Sequence, residues 1–289
     1  MKKLIPRHPN ENDFKPTDNC LVVSDIHGDL KGFLPALKLA NWNPDTQRLI
    51  SLGDEVDRGH QSREVSDFMT FWGAIRIQSN HGWKHARYAH HEKIRQETGK
   101  KNPIKPSVEM QDTIDQFTRS RSGSLSDIYS DRALAMLDDP AYLPFEDSQG
   151  KGILVHAGIN PYQKIHEQDT DKMLVRRFHP SPDKFLAEET PEYQYWQKSY
   201  HGYIADEGPF LVIHGHSVCS SPTFHNNPWV LSIDQAGVIG TLAPWGGKHT
   251  ILKLGSRETF SVPGSQGAEA HYREIIAKKK RASLTELCL

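Results

Sequence analysis

Leu49-Ile50-Ser51-Leu52-Gly53-Asp54-Glu55-Val56-Asp57-Arg58-Gly59 is the stretch on which the reading of this chain turns. A short apolar run of strand type ends abruptly in carboxylates, an arginine and two glycines. The same arrangement stands upstream, where Leu21-Val22-Val23 runs into Asp25-Ile26-His27-Gly28-Asp29. Carboxylates and imidazole delivered together at strand ends suit a hard-to-borderline divalent cation. Flanking glycines let the backbone turn sharply and approach a ligand closely.

Three more polar clusters follow buried runs: Ser79-Asn80-His81-Gly82, His156-Ala157-Gly158 and His214-Gly215-His216-Ser217. Each taken alone has a plainer explanation. Asp-x-His caps helices, Asp57-Arg58-Gly59 reads as an ion pair in a turn, Asn80 as an Asx-turn residue, and His156 as a hydrogen-bonded core histidine. Taken together they fall just past the C-terminal ends of successive strands, the edge at which open α/β sheets bind ligands.

Strand-like runs are expected at 21–24, 48–52, 74–78, 152–156, 211–214 and 229–233. Leu30, Phe33, Leu34 and Leu37 mark a helix between the first two, with Pro35 expected in its first turn. Val65, Phe68, Met69 and Trp72 mark the next. Strand–helix alternation implies right-handed crossovers and a largely parallel sheet. Residues 85–150 break the rhythm and read as a mostly helical insertion, with Leu134, Met136, Leu137 and Leu143 in a short helix that returns to the core. Residues 1–262 read as one domain and 263–289, with Lys278-Lys279-Lys280-Arg281, as a polar C-terminal tail.

The 289 residues suffice for one large α/β domain, and 36% apolar against 25% charged residues allows a packed core. A mean hydropathy of −0.63 marks a polar surface. A net charge of −1 gives no global field for nucleic acid or acidic membrane. No segment reaches the roughly 20 apolar residues of a membrane span. The Met1–Pro6 stretch lacks a signal peptide's apolar core. Three scattered cysteines, Cys20, Cys219 and Cys288, argue for a reducing compartment, so a cytoplasmic location is expected.

The ordered set Asp25-x-His27, Gly53-Asp54-x-x-Asp57-Arg58-Gly59, Asn80-His81, His156-x-Gly158 and Gly215-His216-Ser217 resembles the calcineurin-like metallophosphoesterases. Within them it is similar to the phosphoprotein-phosphatase branch, over roughly residues 20–262. Ile233–Gly240 and Asn80-His81-x-x-Lys84 resemble the bacterial diadenosine tetraphosphatases more than eukaryotic serine/threonine phosphatases. Ser79-Asn80-His81-Gly82, His156-Ala157-Gly158 and Asp234-Gln235-Ala236-Gly237 depart from the usual loop residues, which bears on substrate choice.

The resemblance implies a four-layer αββα sandwich with a helical insertion. It implies two divalent metal ions, with manganese favoured and iron, zinc or cobalt as alternatives. Asp25 and His27 would hold the first ion, Asp54 would bridge, and Asn80, His156 and His216 would hold the second. A metal-bridging hydroxide would attack phosphorus in line. Asp57 would orient His81, the proton donor to the leaving oxygen, and Arg58 would clamp phosphate in a bidentate fork. A second phosphate-binding arginine is expected at Arg176, with Arg177 the alternative. His214 would stand behind the ligands, and Trp83, Tyr203 and Trp245 offer possible stacking surfaces.

Three functions compete. The first is hydrolysis of phosphomonoesters, on phosphoproteins or nucleotides. The second is hydrolysis of dinucleoside polyphosphates. The third is a non-catalytic binding scaffold, disfavoured because every expected ligand is present. Nucleic acid enters only as a phosphorylated substrate, and no membrane partner is expected.

Overall fold

The computed structural model describes residues 4–118, 127–176, 178–179, 194–195, 200, 202, 208–222 and 228–287. Strand β1 (Cys20–Val23) leads through helix α1 (Leu30–Leu39) to β2 (Arg48–Ser51), and α2 (Ser62–Phe71) leads to β3 (Ile75–Arg76). Helices α3 (Asn80–Thr98), α4 (Val108–Thr118) and α5 (Asp127–Ala135) follow, then β4 (Tyr142–Asp147) and β5 (Gly150–Val155). After the short α6 (Thr170–Met173) and a ribbon of β6 (Phe178–His179) and β7 (Gln194–Tyr195) come β8 (Leu211–His214) and β9 (Val230–Ser232). Strands β10 (Lys248–Lys253) and β11 (Thr259–Pro263) and a C-terminal helix, Gln266–Leu287, end the chain.

Two sheets carry the fold, one in the order β11-β10-β1-β2-β3 and one in the order β4-β5-β8-β9. Within them β1-β2-β3 and β5-β8-β9 are parallel, while β4, β10 and β11 pair antiparallel. Strand alternation explains the layering. Val22, Ile50 and Leu252 of the first sheet face Leu143, Phe145, Leu154, Ile213 and Leu231 of the second in one core. Leu21, Val23, Leu49 and Ile251 point the other way, onto Phe33, Ala36 and Leu37 of α1 and Val65 and Met69 of α2. The second sheet's outer face is covered by Ile159, Met173 and Tyr200. This is the expected αββα sandwich.

The insertion has its own small core, in which Met110, Ile114 and Phe117 of α4 meet Ala89 of α3 and Tyr129 and Ala133 of α5. Three expectations need correction. Leu143 lies on β4, not on a helix, because its side chain and that of Phe145 alternate into the sandwich core. Pro35 sits inside α1 rather than in its first turn. Residues 266–287 form a helix, not a solvated tail. Its Ala268 and Ile275 are buried, and it is tied to α4 by Lys279 Nζ–Glu109 Oε1 at 2.5 Å and His271 Nε2–Asp112 Oδ2 at 2.7 Å. No helix among the described residues is long and apolar enough to cross a membrane.

Candidate metal centre

The parallel strands bring their C-terminal ends to one edge, and the loops that leave them interlock through the main chain. Asp25 N–H donates to Gly53 O at 3.1 Å, His27 N–H to Asp54 O at 2.9 Å and Gly59 N–H to His27 O at 2.9 Å. The second sheet is stitched to the first in the same way, since His216 N–H donates to Asp25 Oδ2 at 2.9 Å. Such close approach excludes side chains at some positions. A Cβ on Gly215 would lie 2.3 Å from Asp25 Oδ2, and one on Gly59 would lie 2.3 Å from His27 O.

Six of the expected site residues are held at positive φ: Asp25 (54°), His27 (48°), Asp54 (56°), Asp57 (70°), Arg58 (68°) and His216 (59°). This left-handed region is disfavoured for residues with a Cβ. Its concentration at one locus is the pattern expected where surrounding structure over-determines a functional geometry.

Asp54 stands at the centre. Its Oδ2 lies 3.6 Å from His27 Nε2, 3.8 Å from His81 Nε2 and 3.5 Å from His156 Nε2. Side-chain ligand atoms of His27, Asp54 and His81 cluster within 4.8 Å of one another, as do those of Asp54, His156 and His216. Asp54 is therefore shared by two adjacent ligand clusters. Asp25 Oδ1 lies 3.8 Å from His27 Nε2, and Asn80 Oδ1 lies 2.8 Å from His156 Nε2.

The imidazoles are oriented from behind. His27 Nδ1–H donates to Val56 O at 2.9 Å and His156 Nδ1–H to Leu52 O at 2.8 Å. That leaves the Nε2 lone pairs aimed into the cluster, the arrangement of a metal-binding histidine with a backbone carbonyl behind it. The buried His27 Nε2 has no hydrogen-bond partner. His156 Nε2 faces an amide oxygen: either the amide turns its NH2 to the ring, or a cation serves both atoms.

The charges favour a cation too. Burial pushes Asp25 up, with His156 opposing and Asp54 assisting. Burial and Asp25 push Asp234 well up. Asp54, in contrast to Asp25 and Asp234, is held low, because His81, His156, His27 and His216 outweigh its burial. The N-terminus of α3 assists, since His81 N–H donates to Asp54 Oδ1 at 3.2 Å. Thiolate is not on offer among the described residues. Cys219 donates Sγ–H to Asp234 O, burial pushes its thiol up to about 11, and Cys20 lies in the core. The donors are nitrogen and oxygen, a set that fits an open divalent site.

Beside this centre Asp57 Oδ2 lies 2.6 Å from His81 Nδ1. Burial opposes a charged His81, yet Asp54 and Asp57 raise its pKa. Arg58 Nη2 lies 3.4 Å from His81 Nε2, while Arg58 Nε has no hydrogen-bond partner. Arg176 follows Leu174, which packs on Trp83 of α3, and the backbone of Met173 accepts from Ala157 and Gly158 beside His156. That places Arg176 on the segment bordering the centre; Arg177 and Tyr203 lie outside the described residues. His214 is fully buried, its Nδ1–H donating to Gly215 O at 2.8 Å. Trp83 is buried, and Trp245 is partly exposed with its indole N–H donating to Gln235 O.

Sequence reasoning missed His85, Thr113, Tyr129 and Glu109 around Asp57. Of these only His85 left a signal, its i, i+4 spacing from His81.

The profile of the calcineurin-like phosphoesterase family matches residues 19–220, and the chain belongs to that family. It is an enzyme that hydrolyses phosphoester bonds. It is similar to the bis(5'-nucleosyl)-tetraphosphatase of Anoxybacillus flavithermus, 25% identical over 259 residues that cover 84% of this chain and 94% of that protein. A serine/threonine-protein phosphatase 2 of Salmonella typhimurium is 40% identical over 60 residues, which cover 21% of this chain and 28% of that one. The fold is shared with a solved candidate diadenosine tetraphosphatase, at TM-score 0.62 and 19% identity over 86% of this chain and 94% of that one. It is also shared with a Saccharomyces cerevisiae serine/threonine phosphatase, at TM-score 0.55 and 11% identity over 86% of this chain and 80% of that one.

Proposed function

We propose that this chain is a two-metal phosphoester hydrolase acting on dinucleoside polyphosphates. The observation that carries the metal reading is the position of Asp54, with His27 Nε2 3.6 Å away on one side and the His156–His216 pair on the other. Asp25 and His27 with Asp54 would hold one ion; Asp54 with Asn80, His156 and His216 would hold the other. When bound, divalent ions supply an activated nucleophile and charge neutralisation at the phosphoryl group. Manganese is the preferred ion, in keeping with the oxygen-and-imidazole donor set.

The chain's own residues supply the rest. His81 keeps a proton through its hydrogen bond to Asp57 and presents Nε2 toward the space beside Asp54, where a leaving oxygen would take that proton. Arg58, attracted by Asp54, Asp25 and Glu109, carries a fork with a free Nε for a phosphoryl oxygen. Arg176 is proposed as a second phosphate contact from the opposite loop.

Substrate choice rests on the relatives. Proteins named for tetraphosphatase activity match 84% of the chain, whereas the likeness to a named protein phosphatase spans 60 residues. That coverage supports the dinucleoside polyphosphate over the phosphomonoester, the second reading. The test is a panel of diadenosine tetraphosphate, phosphoserine peptide, p-nitrophenyl phosphate and 5′-phosphorylated oligonucleotide, with and without EDTA. The expected result is at least about tenfold higher kcat/KM on the tetraphosphate, about 1.4 kcal/mol of selectivity, with activity lost to EDTA and restored by manganese. A preference for the phosphopeptide would overturn the substrate, and activity in metal-stripped protein would overturn the metal reading.

Arg58→Lys separates a clamp from a structural ion pair. A structural role through charge alone predicts little change, because Lys keeps the positive charge beside Asp54. Lys keeps the charge and loses the fork, so a clamp predicts a fall in kcat/KM of about tenfold or more. Inhibition by inorganic phosphate should weaken in parallel, with unchanged melting temperature. Wild-type kinetics in that variant would leave only the structural role.

A further inference from the structure

The geometry points to a positioning network, made by the helical insertion, that sets the orientation of His81 through Asp57: Tyr129–His85–Asp57, with Thr113 as a second donor. This inference rests on the reading of His81 as proton donor.

Asp57 is fully buried and both its oxygens are engaged from different elements. Oδ2 takes His81 Nδ1–H at 2.6 Å. Oδ1 takes His85 Nε2–H at 2.8 Å and the Thr113 hydroxyl at 2.7 Å. The backbone N–H of Asp57 donates to Ser62 Oγ at 3.1 Å, which fixes the main chain at its positive φ. A carboxylate held by one histidine alone could rotate about its Cβ–Cγ bond. Two donors on Oδ1, rooted on α3 and α4, fix its plane so that Oδ2 meets His81.

The network has a defined direction. Asp57 is held well below the usual carboxylate range: burial opposes this, and His85 and His81 overcome it. A carboxylate only accepts, so the hydrogen between it and His85 belongs to Nε2. Tyr129 Oη lies 2.8 Å from His85 Nδ1 and holds the ring from its other side. His85 is one turn beyond His81 on α3, so the two rings grip opposite oxygens of one carboxylate from the same helix face. Tyr129 reaches the network from α5, its ring 5.7 Å from that of Phe117 in the insertion core. All three insertion helices thus converge on one carboxylate. The region that reads in sequence as a polar excursion is the frame of the acid.

The test compares His85→Leu, His85→Gln, Thr113→Val and Tyr129→Phe on p-nitrophenyl phosphate, which needs little protonation of its leaving group, and on an alkyl phosphate, which needs much. His85→Leu should lower kcat on the alkyl phosphate by about 10- to 100-fold, the scale of a misplaced catalytic group. The loss on p-nitrophenyl phosphate should be smaller, with KM and metal content unchanged. His85→Gln, whose amide can donate to Asp57, should recover most of the alkyl-phosphate rate. In a His81→Ala background His85→Leu should add little, because the two act as a unit.

Equal losses on both substrates, or full additivity with His81→Ala, would show that His85 only supports the fold and would overturn the inference. Where His85→Leu does not fold, Tyr129→Phe carries the same test, with a smaller loss in the same direction expected and an equal loss on both substrates overturning it. If His81→Ala itself shows no leaving-group dependence, the proton-donor reading fails and the network falls with it. If His81→Ala shows that dependence and the network variants do not, the network alone is refuted.

Discussion

Asp54→Asn should cost about 10³-fold or more in kcat, because a metal clamp contributes several kcal/mol and each factor of ten is worth about 1.4 kcal/mol. The position is the sharpest single test of the proposed centre. One carboxylate sits among four imidazoles that hold its charge, and in the proposed centre it is shared by two ligand clusters. Asparagine keeps the size and tolerates the left-handed backbone that Asp54 adopts at φ 56°. Loss of activity would then reflect lost charge rather than misfolding. Elemental analysis of the purified variant should find at most one of the two expected ions. Retention of both ions with near wild-type kcat would remove Asp54 from the bridge and with it the two-ion reading.

His81→Ala should lower kcat by about 10²–10⁴-fold on substrates with poor leaving groups, the usual contribution of a positioned acid. Metal content should be unchanged, because His81 is assigned to the leaving group and not to either ion. The loss should shrink for p-nitrophenyl phosphate, whose anion departs with little help. His81 suits such a role: its Nδ1–H is committed to Asp57, and its Nε2 lies between Arg58 and Asp54, 3.4 Å from Arg58 Nη2 and 3.8 Å from Asp54 Oδ2. An equal loss on alkyl and p-nitrophenyl phosphates would mean that His81 acts in binding or in holding Asp54, whose Oδ1 accepts from its backbone N–H.

The candidate site could be traced in sequence because each proposed ligand stands directly behind a buried run, and parallel strands bring such positions to one edge whatever lies between them. His27, His156 and His216 meet around Asp54, with Asp25 beside His27 and Asn80 beside His156, and Asp25 and His216 are 191 residues apart. The six strands with apolar runs were legible for the same reason. Strands β10 and β11 were not, because β10 begins with Lys248-His249 and β11 is only partly buried, so neither offers a continuous apolar signal.

Leu143 was misassigned because a four-residue apolar grouping fits strand and helix alike; its place was decided by pairing with Leu154. The C-terminal helix hides in the same way. Among its described residues Ala268 and Ile275 are the buried apolar ones, and polar contacts to Glu109, Asp112 and Thr241 join it to the rest of the fold. His85 was missed because its one signal, the i, i+4 spacing from His81, carries no mark of what the ring touches. Its importance depends on Thr113 and Tyr129, which only the folded insertion brings near.

The six site residues at positive φ bear on how this protein can evolve. Each strained position costs of order 1–3 kcal/mol that the two sheets must make good, and glycine would relieve much of it wherever the side chain is not needed. Under the proposed assignment, glycine at Asp25, His27, Asp54 or His216 would relax the backbone and remove a metal ligand in the same step. Adaptation to heat in this lineage has to proceed elsewhere, in the helical cover and the sheet interior, while the catalytic edge remains a fixed debt carried by every descendant that stays an enzyme.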